Sequence, residues 1–110
     1  MRKGHKIKEF IDIADFVERI KRYPREKIEC TGHTFIRLSE RQREVFTCEI
    51  LRDILLGETP VRVGMQYNGN CAAFYKHERQ RYIKIIVDMG ILKAELVTFV
   101  ISERDQLPRG

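Results

Sequence analysis

The sequence predicts an α+β domain in which N-terminal helices pack on an antiparallel sheet of about four strands, arranged as a meander. Two observations predict it. Apolar residues recur at helical spacing in the first half of the chain, and they alternate with polar residues after Pro60. The 110 residues, of which 43% are hydrophobic, suit a single domain spanning residues 1–110.

Helices are expected over three segments of the first half. Residues 8–23 carry an amphipathic pattern, and Pro24 should end this helix because the residue before a proline avoids the helical region. Residues 33–44 are expected to form the second helix. Residues 48–56 form the third, with Thr47 as the N-cap residue whose hydroxyl accepts from an early backbone N–H.

The second half of the chain has the two-residue period of half-buried strands. Asn68-Gly69 is a strong hairpin signal between the first two of them. The strands are predicted at residues 61–67, 71–76, 82–88 and 93–101. A short strand at residues 27–30 is an additional option in the connector between the first two helices.

The net charge of +5 and the pI of about 9.3 favour RNA or another polyanion as the partner. Three cysteines without a CxxC pair make a disulfide framework unexpected. No apolar leader or apolar run of membrane-spanning length is present, so we expect a cytoplasmic protein without a membrane partner. No cofactor is expected, and the oligomeric state stays open.

Zinc is the alternative for the cysteines and histidines. Cys30 and His33, together with Cys71 and His77, supply four potential ligands. Structural zinc sites usually have tighter paired spacing, so no metal site is predicted. Cys71 is instead expected to be an ordinary buried strand residue, since a free cysteine often behaves as a small hydrophobe.

A polar stripe is predicted on the second helix. His33, Arg37 and Arg41 stand four residues apart, and on a helix each such step moves a side chain by only about 40° around the axis. Arginines offer forked donors to phosphate oxygens, and histidine exchanges a proton near neutral pH. The alternative is that the arginines solvate the helix and pair with Glu40 or Glu44.

A basic hairpin with aromatic neighbours follows in the strand region. Such a hairpin can hold backbone phosphates and stack a base. The alternative is a solvated turn whose tyrosines complete the core. The residues concerned are Tyr75, Lys76, Arg79, Arg81, Tyr82 and Lys84.

One combination of residues resembles a family of small domains of uncharacterised function, which is grouped with the RelE and ParE type of toxin fold. The combination consists of His33, Arg37, Leu38 and Arg41, a Phe46-Thr47 step into an amphipathic helix, and a closing strand with Val97-Thr98. The resemblance covers residues 32–99 and leaves residues 1–31 outside. Residues 42–44 look like an insertion, so either Arg41 or Arg43 takes the place of the second arginine.

The resemblance implies a metal-independent endoribonuclease of the toxin type, in which the ribose 2′-OH attacks the adjacent phosphorus. His33 would accept the 2′ proton, while Arg37 and Arg41 would stabilise the charge on the phosphoryl oxygens. These three are the predicted catalytic residues. The predicted substrate-binding residues are Arg43, Tyr75, Lys76, Arg79, Arg81, Lys84 and Thr98, although Tyr75, Lys84 and Thr98 also suit ordinary strand positions.

Two other functions remain open for the same residues. The first is a non-catalytic nucleic-acid-binding module, for which salt-sensitive binding without cleavage is expected. The second is an inactive toxin relative that is held by an acidic antitoxin-like partner. The His33 and Arg37 pair discriminates among them, because side chains buried in the core or paired with carboxylates would not serve catalysis.

Overall fold

A computed structural model describes residues 6–36, 38–77 and 81–103. Three α-helices, a 3-10 turn at Arg25–Lys27 and six strands occur in this part of the chain. None of these helices is both long and apolar enough to cross a membrane. The elements are β1 (Ile7–Phe10), α1 (Ile13–Lys21), β2 (Ile28–Cys30), α2 (Glu40–Val45), α3 (Cys48–Gly57), β3 (Arg62–Gln66), β4 (Cys71–Lys76), β5 (Arg81–Met89) and β6 (Ala94–Glu103).

The strands form one mixed sheet in the order β1-β3-β4-β5-β6-β2. All neighbours are antiparallel except β2, which runs parallel to β6. The prediction of N-terminal helices on a sheet of about four antiparallel strands is therefore wrong, although both helices and strands are present. It failed because two short strands from the N-terminal third of the chain extend the sheet at its two edges.

The first predicted helix begins later than expected. Residues 7–10 pair with β3 as β1, and α1 starts only after Asp12, whose carboxylate accepts from the Asp15 backbone N–H at 3.1 Å. Such an N-cap satisfies one of the free donors at the start of a helix. Phe16 and Ile20, one turn apart, are the buried residues of α1.

The second predicted helix, residues 33–44, is wrong over its first half. Residues 32–36 form turns, and α2 begins at Glu40. Ser39 and Gln42 form a capping box in which the Gln42 N–H donates to Ser39 Oγ at 3.2 Å and the Ser39 N–H donates to Gln42 Oε1 at 3.0 Å. The box fixes the start of the helix at this position.

The helices cover one face of the sheet. Their buried side chains share a core with strand residues, among them Phe16, Leu51, Leu55, Ile85 and Phe99. The opposite face has a smaller cluster of Ala72, Phe74 and Ile86 to which no helix residue of the described chain belongs. We call this second side of the sheet the open face.

A β-bulge in β6 decides which side chains reach each face. The pairing register with β5 shifts between the Ile86–Thr98 pair and the Val87–Leu96 pair, which leaves Val97 as the extra residue. Leu96 and Phe99 both lie in the helix-side core despite their odd spacing. Such a bulge breaks the alternation of a strand locally.

A disulfide joins Cys30, at the end of β2, to Cys48, the first residue of α3, with 6.1 Å between the two Cα atoms. The expectation that these cysteines stay unpaired is wrong. It failed because cysteine spacing does not reveal that the end of β2 lies beside the start of α3. The bond also removes Cys30 from the zinc alternative, and Cys71 is a free, buried strand residue as expected.

We expect that only Cys71 reacts with a thiol reagent when the unreduced protein is denatured, and that all three cysteines react after reduction. The double variant Cys30→Ser/Cys48→Ser should lose about 3 kcal/mol of unfolding free energy, because the bond no longer restricts the unfolded chain. Urea unfolding measures this loss, and reduction of the wild type serves as the matched control. Three reactive thiols without reductant would contradict the bond.

Candidate nucleic-acid interface

The turn that carries His33 is fastened to β6. Thr34 is fully buried; its hydroxyl donates to the Leu96 carbonyl at 2.6 Å, and its carbonyl accepts from the Phe99 N–H at 3.2 Å. These two anchor points flank Thr98 in the sequence of β6. The His33 side chain is exposed. The turn therefore holds an accessible imidazole beside the edge of β6.

Two arginines of α2 have different roles. The guanidinium of Arg43 donates to the carbonyl oxygens of Phe35 and Ile36 at 3.1 and 3.4 Å, and so fastens α2 to the turn. Arg41 is exposed and makes no hydrogen bond or ion pair within the described chain. Arg41 is therefore the α2 arginine without a partner among the described residues, while Arg43 positions the turn.

Phe46 connects α2 to the β4–β5 hairpin. Its ring packs edge-on against His77, with 5.7 Å between ring centroids, and against Phe99 at 4.9 Å. The His77 N–H donates to the Arg81 carbonyl at 2.9 Å and closes the hairpin. The contact brings together two basic segments that the sequence identified separately.

We call the resulting area the α2 surface. It consists of three arginines, one exposed histidine and one half-buried histidine. α2 itself carries two arginines and two glutamates, Glu40 and Glu44, and Arg81 at the hairpin end adds a third arginine. The members of the α2 surface are His33, Arg41, Arg43, His77 and Arg81.

The predicted stripe of His33, Arg37 and Arg41 on one helix is wrong. His33 lies in the turn before Ser39, whereas Arg41 lies in α2. Arg37 lies outside the described residues, as does Arg79 of the predicted hairpin. The Arg43 contacts between α2 and the turn, and not helical periodicity, therefore fix the position of Arg41 relative to His33.

The other predicted substrate-binding residues are divided between the core and the open face. Tyr75 is buried in the helix-side core, where burial raises the pKa of its hydroxyl, so it is inaccessible to a substrate. Thr98 pairs with Ile86 on the open face, and Lys84 lies there with its ammonium 5.8 Å from the Phe74 ring centroid. Lys76 has the same strand parity as Phe74, so it also belongs to that side.

Sequence reasoning missed the part played by His77, which it considered only as a zinc ligand. Nothing in the sequence links His77 to Phe46, because they are separated by 31 residues. Within the ranges that the structure describes, no three histidine, cysteine or acidic side chains are grouped so that they could hold a metal ion. The site is therefore built from cations, imidazoles and backbone anchors.

Comparisons with known proteins give no further assignment: no family model, curated protein or solved structure matches this chain. The resemblance to the RelE and ParE type of toxin therefore stays a prediction.

We expect Arg43→Ala to speed amide hydrogen exchange in residues 32–36, because two carbonyl oxygens of the turn lose their donor. Arg41→Ala, in the same helix and with the same change in charge, should leave the exchange of that turn unchanged. Equal protection of the turn in both variants would contradict the positioning role of Arg43.

Proposed function

We propose that this protein binds RNA through the α2 surface. The observation that carries the proposal is the packing of Phe46, at the end of α2, against His77 at the hairpin end. Together with the Arg43 contacts to the turn, it brings three segments with basic side chains side by side. The net charge of +5 favours a polyanionic partner. Arginine side chains suit this task because the guanidinium binds two phosphate oxygens at once.

The α2 surface also has an apolar component. Ile36 in the turn is 62% exposed and Val45 in α2 is 60% exposed, on either side of Arg41 and Arg43 in the chain. Bases of single-stranded RNA are unstacked and offer apolar faces to a protein, whereas those of a duplex are hidden. A single-stranded RNA is therefore the substrate class that this combination of charge and apolar contact favours.

We expect Arg41→Glu/Arg81→Glu to weaken binding of a fluorescein-labelled single-stranded RNA by at least about tenfold at 100 mM salt, since two cation–phosphate contacts become repulsive. Fluorescence anisotropy gives the dissociation constant. The logarithm of the wild-type constant should also rise linearly with the logarithm of salt concentration, with a smaller slope in the variant.

The matched control is Lys21→Glu/Lys27→Glu, which makes the same change in net charge at exposed residues outside the α2 surface. It should lose much less affinity. Equal losses in both double variants would show that binding follows net charge alone and would overturn the assignment to the α2 surface. Wild-type protein that does not bind RNA at low salt would overturn the function itself.

Metal-independent cleavage of the bound RNA is a second candidate function, and two imidazoles near α2 favour it. His33 is exposed in the turn that Arg43 contacts, and His77 packs against Phe46 at the end of α2. In such a reaction one imidazole accepts the proton of the 2′-OH as its oxygen attacks phosphorus. The other donates a proton to the departing 5′ oxygen, so a 2′,3′-cyclic phosphate and a free 5′-OH are formed. The Arg41 guanidinium would stabilise the negative charge on the phosphoryl oxygens.

We expect cleavage of single-stranded RNA in EDTA by the wild type and its loss by at least about a hundredfold in His33→Ala or His77→Ala, since each removes one proton transfer. Gel electrophoresis of an end-labelled RNA measures the rate, and anisotropy shows whether each variant still binds. If the wild type binds RNA but does not cleave it, the protein is an RNA-binding module and the nuclease function is rejected.

An acidic antitoxin-like partner belongs to the same proposal. A carboxylate-rich segment that covers the α2 surface would meet the same arginines as RNA does and would compete with it. The cytoplasmic location stays a prediction. The Cys30–Cys48 disulfide argues against it, because cytosolic thiols keep most cysteine pairs reduced.

A further inference from the structure

The tip of the β5–β6 hairpin displays two large aliphatic side chains to solvent. Ile91 is 100% exposed and Leu92 is 82% exposed. The tip is held in place, because the Gly90 N–H donates to the Lys93 carbonyl at 3.0 Å and the Tyr23 hydroxyl donates to the Gly90 carbonyl. Ile91 and Leu92 thus form an exposed apolar ridge at a tip whose backbone is held by hydrogen bonds.

The two sides of this tip carry opposite charge. On the helix side, Arg19 and Arg22 line a shallow cavity with Ile91 and Leu92. On the other side, Asp88 and Glu95 line a second cavity together with Lys93 and the same two aliphatic side chains. The surface thus reads as a cationic strip, an apolar ridge and an anionic strip. We call the six residues other than Lys93 the tip patch.

The anionic strip is unfavourable in the isolated chain. Asp88 and Glu95 are directly opposite each other in the β5–β6 register, where like charges repel. The Lys93 ammonium pairs with Glu29 at 3.2 Å, and Glu29 and, more weakly, Glu95 raise the pKa of Lys93. Within the described chain neither Asp88 nor Glu95 forms a salt bridge with a cation.

The cationic strip has spare charge as well. Arg22 pairs with Glu18 at 2.9 Å, whereas Arg19 forms no salt bridge with any described residue. Arg19 and Asp88 therefore form no salt bridge among the described residues, and Glu95 has only the weaker attraction of Lys93. Further counterions come from salt or from another molecule.

We propose that the tip patch is the interface of a homodimer, in which a second copy of this chain packs its own tip patch against the first. A two-fold axis reverses the order of the strips, so Arg19 and Arg22 of each copy face Asp88 and Glu95 of the other. The Ile91 and Leu92 side chains of the two copies meet at the axis and leave water. The patch is self-complementary in both charge and hydrophobicity.

The dimer leaves the proposed RNA-binding surface accessible. β5 begins at Arg81, in the α2 surface, and ends at Met89, beside the tip patch. At about 3.3 Å per residue the two surfaces lie roughly 26 Å apart along this strand. The dimer and the RNA-binding function are therefore independent, and either can fail without the other.

The interface should be weak. Six side chains from each copy are far fewer than the about 20–30 residues on each side of a standard protein interface. Sedimentation velocity from 10 µM to 1 mM is the test, and the weight-average mass should rise toward that of a dimer at the upper end of this range. The rise should diminish at high salt, because the charge pairs at the rim are screened.

Ile91→Asp/Leu92→Asp should stay monomeric over the whole range, while Val45→Asp should associate like the wild type. Val45 is also an exposed aliphatic residue, but it lies at the α2 end of the molecule. Circular dichroism confirms that each variant is folded. A wild type that stays monomeric, or association that survives both tip substitutions, overturns the proposal.

Charge reversal tests the two-fold arrangement itself. Arg19→Glu/Arg22→Glu makes both strips anionic, and Asp88→Lys/Glu95→Lys makes both cationic, so neither variant should associate alone. An equimolar mixture should form a heterodimer at least as readily as the wild type forms its homodimer, since every strip then meets its opposite. A mixture that stays monomeric, or either variant that dimerises alone, overturns the proposed arrangement.

Discussion

The buried hydroxyl of Thr34 is the constraint on which the candidate interface depends. It accepts from the Thr31 N–H at 2.8 Å and donates to the Leu96 carbonyl, so one small side chain satisfies two backbone groups at the edge of β6. A buried polar group that loses such a partner costs about 1–3 kcal/mol. The position of the His33 turn, and through Arg43 the position of α2, therefore follow from a single threonine that no charge pattern identifies.

Much of the second half of the fold could be predicted from the sequence. The alternation after Pro60 and the Asn68-Gly69 turn locate β3 to β6, and Gly69 has the positive φ of 91° that such a turn requires. The edge strands could not be predicted in this way. β1 is four residues long and merges into the helical pattern of α1, and β2 is three residues long and gains its strand geometry only from pairing with β6.

The candidate site could be predicted in its residues more than in its geometry. The sequence identifies Arg41, Arg43 and Arg81 by their charge and His33 by its acid–base chemistry. Helical periodicity, however, predicted one continuous helix from residue 33, whereas the capping box starts α2 only after Ser39. The register between β4 and β5 places Tyr75 in the core and Lys84 on the open face. Long-range packing, above all that of Phe46, determines which basic residues share a surface. Local sequence patterns do not predict such packing.

The disulfide makes a covalent ring of the chain from Cys30 to Cys48, and this ring contains both the Thr34 anchor and α2. α2 is a single short helix that buries none of its own residues, and such a helix has little stability in isolation. Closing the ring removes conformations from the unfolded segment and so favours its ordered form. The redox potential of the surroundings therefore determines whether this bond is present. In oxidising conditions the closed ring orders α2 and its cationic side chains before a ligand binds, whereas in reducing conditions α2 is less ordered.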